Sequence, residues 1–122
     1  MSLPAILVVD DDHDAADLLG MILGMHLPQA TVHLAYGGQA ALDLTRRQRP
    51  DAAVVDLEMP GLDGEQLAFA LRASFPGTEP LLIALSGNVV RLADIEGNGA
   101  FDHRLSKPVD VAALVRILEM HL

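Results

Sequence analysis

A chain of 122 residues with one continuous hydrophobic pattern has room for a single domain, large enough to bury most of its apolar surface. Hydrophobic residues at 51% against 3% aromatic demand an aliphatic core without stacking platforms for single-stranded nucleic acid, and a formal net charge of −9 argues against direct DNA contact. The lack of cysteine excludes disulfides, thiolate metal sites and cysteine nucleophiles and suits a reducing cytoplasm, while the lack of a long apolar run or signal-like start predicts a soluble protein without membrane contact.

Met1, Ser2 and Leu3 fit no pattern and read as a disordered start or cloning remnant, which leaves residues 4–122 as the domain. Ala5 to Val9 is a short aliphatic run without polar alternation, the mark of a buried parallel strand, and it stops on Asp10, Asp11 and Asp12. From there to about His26 the periodicity is helical, with Asp12 or Asp14 at the start and Asp12 suited to capping. Leu18, Leu19, Ile22 and Met25 are expected to face inward, with Met21 and Leu23 toward other sides. A helix apolar over so much of its girth is either covered by neighbouring helices or docks a partner.

Thr31 to Ala35 reads as a second strand broken by Gly37 and Gly38, and Gln39 to Gln48 as a helix ending in the basic group Arg46, Arg47 and Arg49. Ala52 to Val55 is another buried strand, with Asp56 at its carboxyl end and Pro60, Gly61 and Gly64 supplying the loop beyond. Glu65 to Phe75 is helical, closed by Pro76 and Gly77, and Leu81 to Leu85 is a fourth strand that ends on Ser86 and Gly87. Asn88 to Glu96 is at most a short helix, and Ala100 to Leu105 is a weak strand leading into Ser106, Lys107 and Pro108. Val109 to Leu122 is a last helix with Val111, Leu114, Val115 and Leu118 inward. Five strands alternating with five helices imply a parallel sheet covered on both faces.

In open α/β sheets the ligand crevice lies beyond the carboxyl ends of the strands, so Asp10, Asp11, Asp56, Ser86 and Lys107 can converge there. Two carboxylates about 4 Å apart repel by roughly 1 kcal/mol in water and about 4 kcal/mol near a protein surface, and a hard divalent cation relieves this. A few carboxylates plus waters suit magnesium better than calcium. Such a site can place a phosphoryl group on Asp56, with Lys107, the only lysine, as a point charge and Ser86 as a hydrogen-bond donor. Taken singly, each residue has a plainer reading: the acids as a helix start, Ser86 as a turn residue or N-cap, Lys107 as a solvated charge. His13, His26, His33, His103 and His121 show no metal-ligand spacing and read as structural or surface residues.

Four motifs, Ile6-Leu-Val-Val-Asp-Asp11, Val55-Asp-Leu-Glu-Met-Pro-Gly-Leu-Asp-Gly64, Ile83-Ala-Leu-Ser86 and Leu105-Ser-Lys-Pro108, resemble in order and placement the receiver domains of bacterial two-component response regulators. The resemblance spans nearly the whole chain. It implies a flavodoxin-like doubly wound sheet of five parallel strands, order 2-1-3-4-5, with five helices in a single domain. It implies that Asp56 accepts a phosphoryl group from a sensor histidine kinase or a histidine phosphotransfer protein. Asp11 and Asp56 would bind magnesium, or manganese in its place, by side chain, Glu58 by its backbone carbonyl and Asp10 through water. Lys107-Pro108 would be a cis peptide, a conformation essentially confined to proline. The domain would hydrolyse its own acyl phosphate and otherwise be no enzyme, and a homodimer through the fourth helix, fifth strand and fifth helix is open to it.

Glu58 is expected in solvent beside the incoming phosphoryl group, with Asn88 on the opposite loop, so that both tune the lifetime of the acyl phosphate. Two departures from the family pattern stand out. The usual aromatic switch three positions before the lysine is Arg104, so rotation of a ring cannot be the signal, and the stretch from Ser86 to Lys107 is one residue shorter than the commonest spacing. The run from Phe101 to Asp110 resembles receivers of hybrid sensor kinases more than those fused to DNA-binding domains, which points to a relay or a fragment. Competing readings are a phosphatase of the haloacid dehalogenase type, with Asp10 as nucleophile and Asp12 as acid, a flavodoxin, whose phosphate cradle the acidic first loop lacks, and a receiver-like module that never takes phosphate.

Overall fold

The computed structural model describes residues 3–122, so the expectation for Met1 and Ser2 lies outside the described residues. The strands are β1 (Ala5–Val9), β2 (Thr31–Ala35), β3 (Ala52–Asp56), β4 (Leu81–Ser86) and β5 (His103–Ser106). The helices between and after them are α1 (His13–His26), α2 (Gly38–Thr45), α3 (Gly64–Ser74), α4 (Val89–Asp94) and α5 (Val111–His121). All pairings are parallel and the strand order is β2-β1-β3-β4-β5, the doubly wound arrangement expected from the alternating elements.

The aliphatic runs form strands because both their faces are covered. Ile6, Val8, Ala52, Val54, Ile83 and Leu85 pack against Ala16 and Leu23 of α1 and Leu114, Val115 and Leu118 of α5. On the other face Leu7, Val9, Ala53, Val55 and Leu82 meet Ala41 of α2 and Leu67, Ala68 and Leu71 of α3. Leu57 and Ala84 meet Ile95 at the end of α4 in a smaller third cluster.

Helix α1 corrects the expected orientation. Its buried residues are Ala16, Gly20 and Leu23, whereas Leu18 and Met25 are 55% and 73% exposed and Met21 is exposed with them. The reason is close packing: a Cβ at Gly20 would lie 2.6 Å from Leu34 Cδ2, so Ala16 and Gly20 bring the helix against the sheet, Leu23 seats in the core and Leu19 packs half-buried beside it. Leu18, Met21 and Met25 form an outer apolar stripe that stays exposed among the described residues.

Three boundaries also move. Helix α2 stops at Thr45, whose hydroxyl donates to the Leu42 carbonyl, so Arg46, Arg47 and Arg49 follow the helix instead of ending it. Strand β5 starts at His103, not Ala100, because the Asp102 carboxylate accepts the Leu82 N–H at 2.8 Å where a strand carbonyl would otherwise stand. Helix α4 is a six-residue segment, and Asp110 caps α5 by accepting the Ala113 N–H.

Candidate functional site

The sheet register assembles the site. Val9 pairs with Val55, so the next residues, Asp10 and Asp56, emerge side by side at the carboxyl edge. One strand further on, Asp56 pairs with Leu85, and Ser86 then pairs with Ser106, which delivers Lys107 to the same rim. The Lys107-Pro108 peptide is cis, as the resemblance implies. Carboxylate oxygens of Asp10, Asp11 and Asp56 lie within 4.8 Å of one another, with Asp10 and Asp56 buried and Asp11 exposed.

Asp10 and Asp56 are each held by a local device. Asp12 caps α1 through the Ala15 N–H at 3.2 Å, as expected, and its own N–H donates to Asp10 Oδ1 at 3.0 Å. Asp56 Oδ1 accepts the Glu58 N–H at 3.0 Å, and Lys107 Nζ stands 3.3 Å from Asp56 Oδ2 and 4.0 Å from Asp10 Oδ2. Burial pushes the Asp56 carboxyl above the usual carboxylate range; the Glu58 hydrogen bonds oppose that shift and neighbouring Asp10 adds to it. The loop after Asp56 needs Gly64, where a Cβ would come within 2.6 Å of the Asp56 carbonyl oxygen. Directly before it, Asp63 and Gln66 form a capping box that starts α3.

Ser86 is fully buried and reaches Glu58 and Asn88 together: its hydroxyl donates to the Glu58 carboxylate and accepts the Asn88 N–H at 2.9 Å. Glu58 is exposed, as expected, but its carboxylate turns back to this hydroxyl. Asn88 caps α4 by accepting the N–H groups of Val90 and Arg91 at 3.0 and 3.1 Å. Arg104 pairs with Glu96 at 3.3 Å. Sequence reasoning did not anticipate Arg91, which spans to Asp63 and Glu65 at 3.7 and 3.6 Å, nor a groove of about 310 Å³ leading from Asp10 and Lys107 between α1 and α5, with Leu18, Ile22, Pro108 and Val111 in its wall. The uncovered stripe of α1 was the available sign of that groove.

The fold and the rim together define a doubly wound α/β domain with an acidic, lysine-bearing cluster at the carboxyl edge of its sheet. The profile of the response regulator receiver domain matches residues 6–119, and the chain belongs to that family. Its relatives include the transcriptional regulatory protein PrrA of Mycobacterium leprae, 39% identical over 94% of this chain and 48% of the relative, so the chain spans about half the length of such relatives. A 14.6 kDa protein of Leptolyngbya boryana is 36% identical over 95% of this chain and 88% of its own length. Among solved structures, a CheY-like receiver domain from Methylobacillus flagellatus matches with a TM-score of 0.86 at 30% identity, covering 99% of this chain and 100% of that one. A sensor protein from Polaromonas sp. JS666 matches with a TM-score of 0.81, also at 30% identity, over 97% of this chain and 94% of that one. Receivers of this kind belong to two-component signalling systems, and homologues of the chain are response regulators.

Proposed function

We propose that the domain is the phosphoacceptor of a two-component phosphorelay and that Asp56 is the residue modified. The observation that carries this reading is the pairing of buried Asp56 with Lys107 at 3.3 Å beside Asp10 and Asp11. A sensor histidine kinase or histidine phosphotransfer protein would present a phosphohistidine; an Asp56 oxygen bonds to phosphorus as the P–N bond breaks, and its electron pair returns to the imidazole. Lys107 and the Ser86 hydroxyl would each take one phosphoryl oxygen.

The donor set, all hard oxygen ligands, fits magnesium, with manganese able to replace it. Asp11 and Asp56 would hold the cation by side chain, Glu58 by its backbone carbonyl and Asp10 through water. When bound, the cation would neutralise charge spread over the phosphoryl oxygens. The chain would also hydrolyse its own acyl phosphate, with Glu58 and Asn88 tuning the lifetime, and would catalyse nothing else.

The groove between α1 and α5 supports docking of a helix that carries the donor histidine, since its apolar wall ends at Asp10 and Lys107. A second copy of the chain would have Val89, Val90 and Met120 available on the face made by α4, β5 and α5. The charge of −9 weighs against direct DNA contact, and no helix among the described residues is long and apolar enough to cross a membrane. A cytoplasmic location fits the absence of cysteine.

Beryllofluoride, which mimics an acyl-bound phosphoryl group, tests the reading. With magnesium it is expected to shift the amide resonances of Ser86 and Lys107, and with either component omitted it is not. Unchanged spectra, or the same shifts in an Asp56→Asn variant, would refute it.

A further inference from the structure

A hydroxyl carries one proton and can donate it to one acceptor at a time. In this structure the Ser86 hydroxyl faces two acceptors, the Glu58 carboxylate and, at 3.4 Å, the Asn88 carbonyl, and the nearer, charged Glu58 takes its hydrogen bond. Ser86 is fully buried, so bulk water does not offer an easy replacement for that acceptor, whereas Glu58 is exposed and free to leave. The same oxygen accepts the Asn88 N–H at 2.9 Å, and the Asn88 side chain in turn caps α4. Glu58, Ser86, Asn88 and the first turn of α4 therefore form one hydrogen-bonded line.

We propose that Glu58 is an internal stand-in for the phosphoryl group: before Asp56 is modified, the Glu58 carboxylate holds the Ser86 hydroxyl and so keeps the loop between β4 and α4 in its resting position. This rests on Asp56 being the phosphoacceptor. Two anions compete for one donor, so the Ser86 hydroxyl turns its hydrogen bond to a phosphoryl oxygen only when Glu58 releases it. Release changes the partner of the oxygen that anchors Asn88, and the start of α4 moves with it. Glu58 acts as a positioning residue through Ser86, and its influence falls on acquisition of the phosphoryl group and on the resting loop, in addition to the lifetime of the product.

The reach of the side chain separates this device from simple charge repulsion. Acetyl phosphate with magnesium serves as donor for the full chain: an Asp56 oxygen bonds to phosphorus, the P–O bond to the acetyl group breaks, and acetate leaves with the electron pair. Glu58→Asp keeps the charge but is one methylene too short to reach Ser86; Glu58→Gln keeps reach and an acceptor oxygen but loses the charge. The latch predicts initial phosphorylation about tenfold faster than wild type for Glu58→Asp and Glu58→Ala, and a smaller gain for Glu58→Gln, whose neutral oxygen still reaches Ser86 but holds it less tightly. It also predicts that, without any phosphoryl donor, the Asn88 amide resonance of Glu58→Asp has already moved toward its position in beryllofluoride-bound wild type. Fast Glu58→Gln with wild-type-like Glu58→Asp, or an Asn88 amide that ignores both variants, overturns the latch. Loss of labelling from wild type itself overturns the phosphoacceptor reading instead, so the two failures are distinct.

Discussion

The centre of the sheet and its β5 edge are built by different means. Strands β1, β3 and β4 are buried almost end to end, and the acids and Ser86 at their tips inherit positions fixed by that packing. At the edge, α4 buries none of its residues and the strand beside it is mostly exposed. Besides the β4 ladder and the packing of Leu105 and Ile95, ion pairs tie it: Arg91 to Asp63 and Glu65, Arg104 to Glu96, Arg72 to Asp102. Exposed pairs contribute about 0–1 kcal/mol each, whereas filling one core position contributes several times that. A rigid centre would keep the proposed reacting groups in register, and a weakly tied edge is what a phosphoryl group at Asp56 would move.

Breaking the centre should cost most. Leu82→Ala removes a fully buried side chain from the middle of β4 and is expected to destabilise the domain by about 2–5 kcal/mol in urea unfolding. A loss below about 1 kcal/mol would mean the centre is no more rigid than the edge. Next comes the cation: magnesium at a hundred times its dissociation constant should add about 2.7 kcal/mol, and Asp11→Asn should weaken that gain. Thermal unfolding with and without a chelator reads both.

A smaller effect follows from the raised Asp56 carboxyl. Because the fold favours its protonated form, the favourable contribution is present below the unfolded carboxylate range and is lost as pH rises through the elevated folded value. In chelator at neutral pH Asp56→Asn should therefore be more stable than wild type, and the difference should vanish in acid below both values. A gain that persists in acid would sever it from the carboxylate. Smallest of all, Arg104→Ala should cost under about 1 kcal/mol, since its partner Glu96 is 67% exposed.

The same contrast explains what could be read from residues alone. Uninterrupted aliphatic runs ending on acids announce parallel strands and their carboxyl-edge crevice, so the order of elements and the convergence of Asp10, Asp56, Ser86 and Lys107 were legible. The inward face of α1 was not, because periodicity weighs hydrophobicity and overlooks how closely Ala16 and Gly20 let the helix approach Leu34. The start of β5 was hidden for a related reason: Asp102 supplies by its side chain a hydrogen bond that the pattern assigns to backbone. The bond between Glu58 and Ser86 joins residues 28 positions apart, and neither residue type signals the other.

The central claim is that one aspartate, Asp56, takes the phosphoryl group. Labelling the chain with acetyl phosphate and magnesium, trapping the acyl phosphate with borohydride and sequencing the peptides should find reduction at Asp56 alone. Modification at Asp10, as a phosphatase of the haloacid dehalogenase type would require, or at no aspartate, would contradict the account.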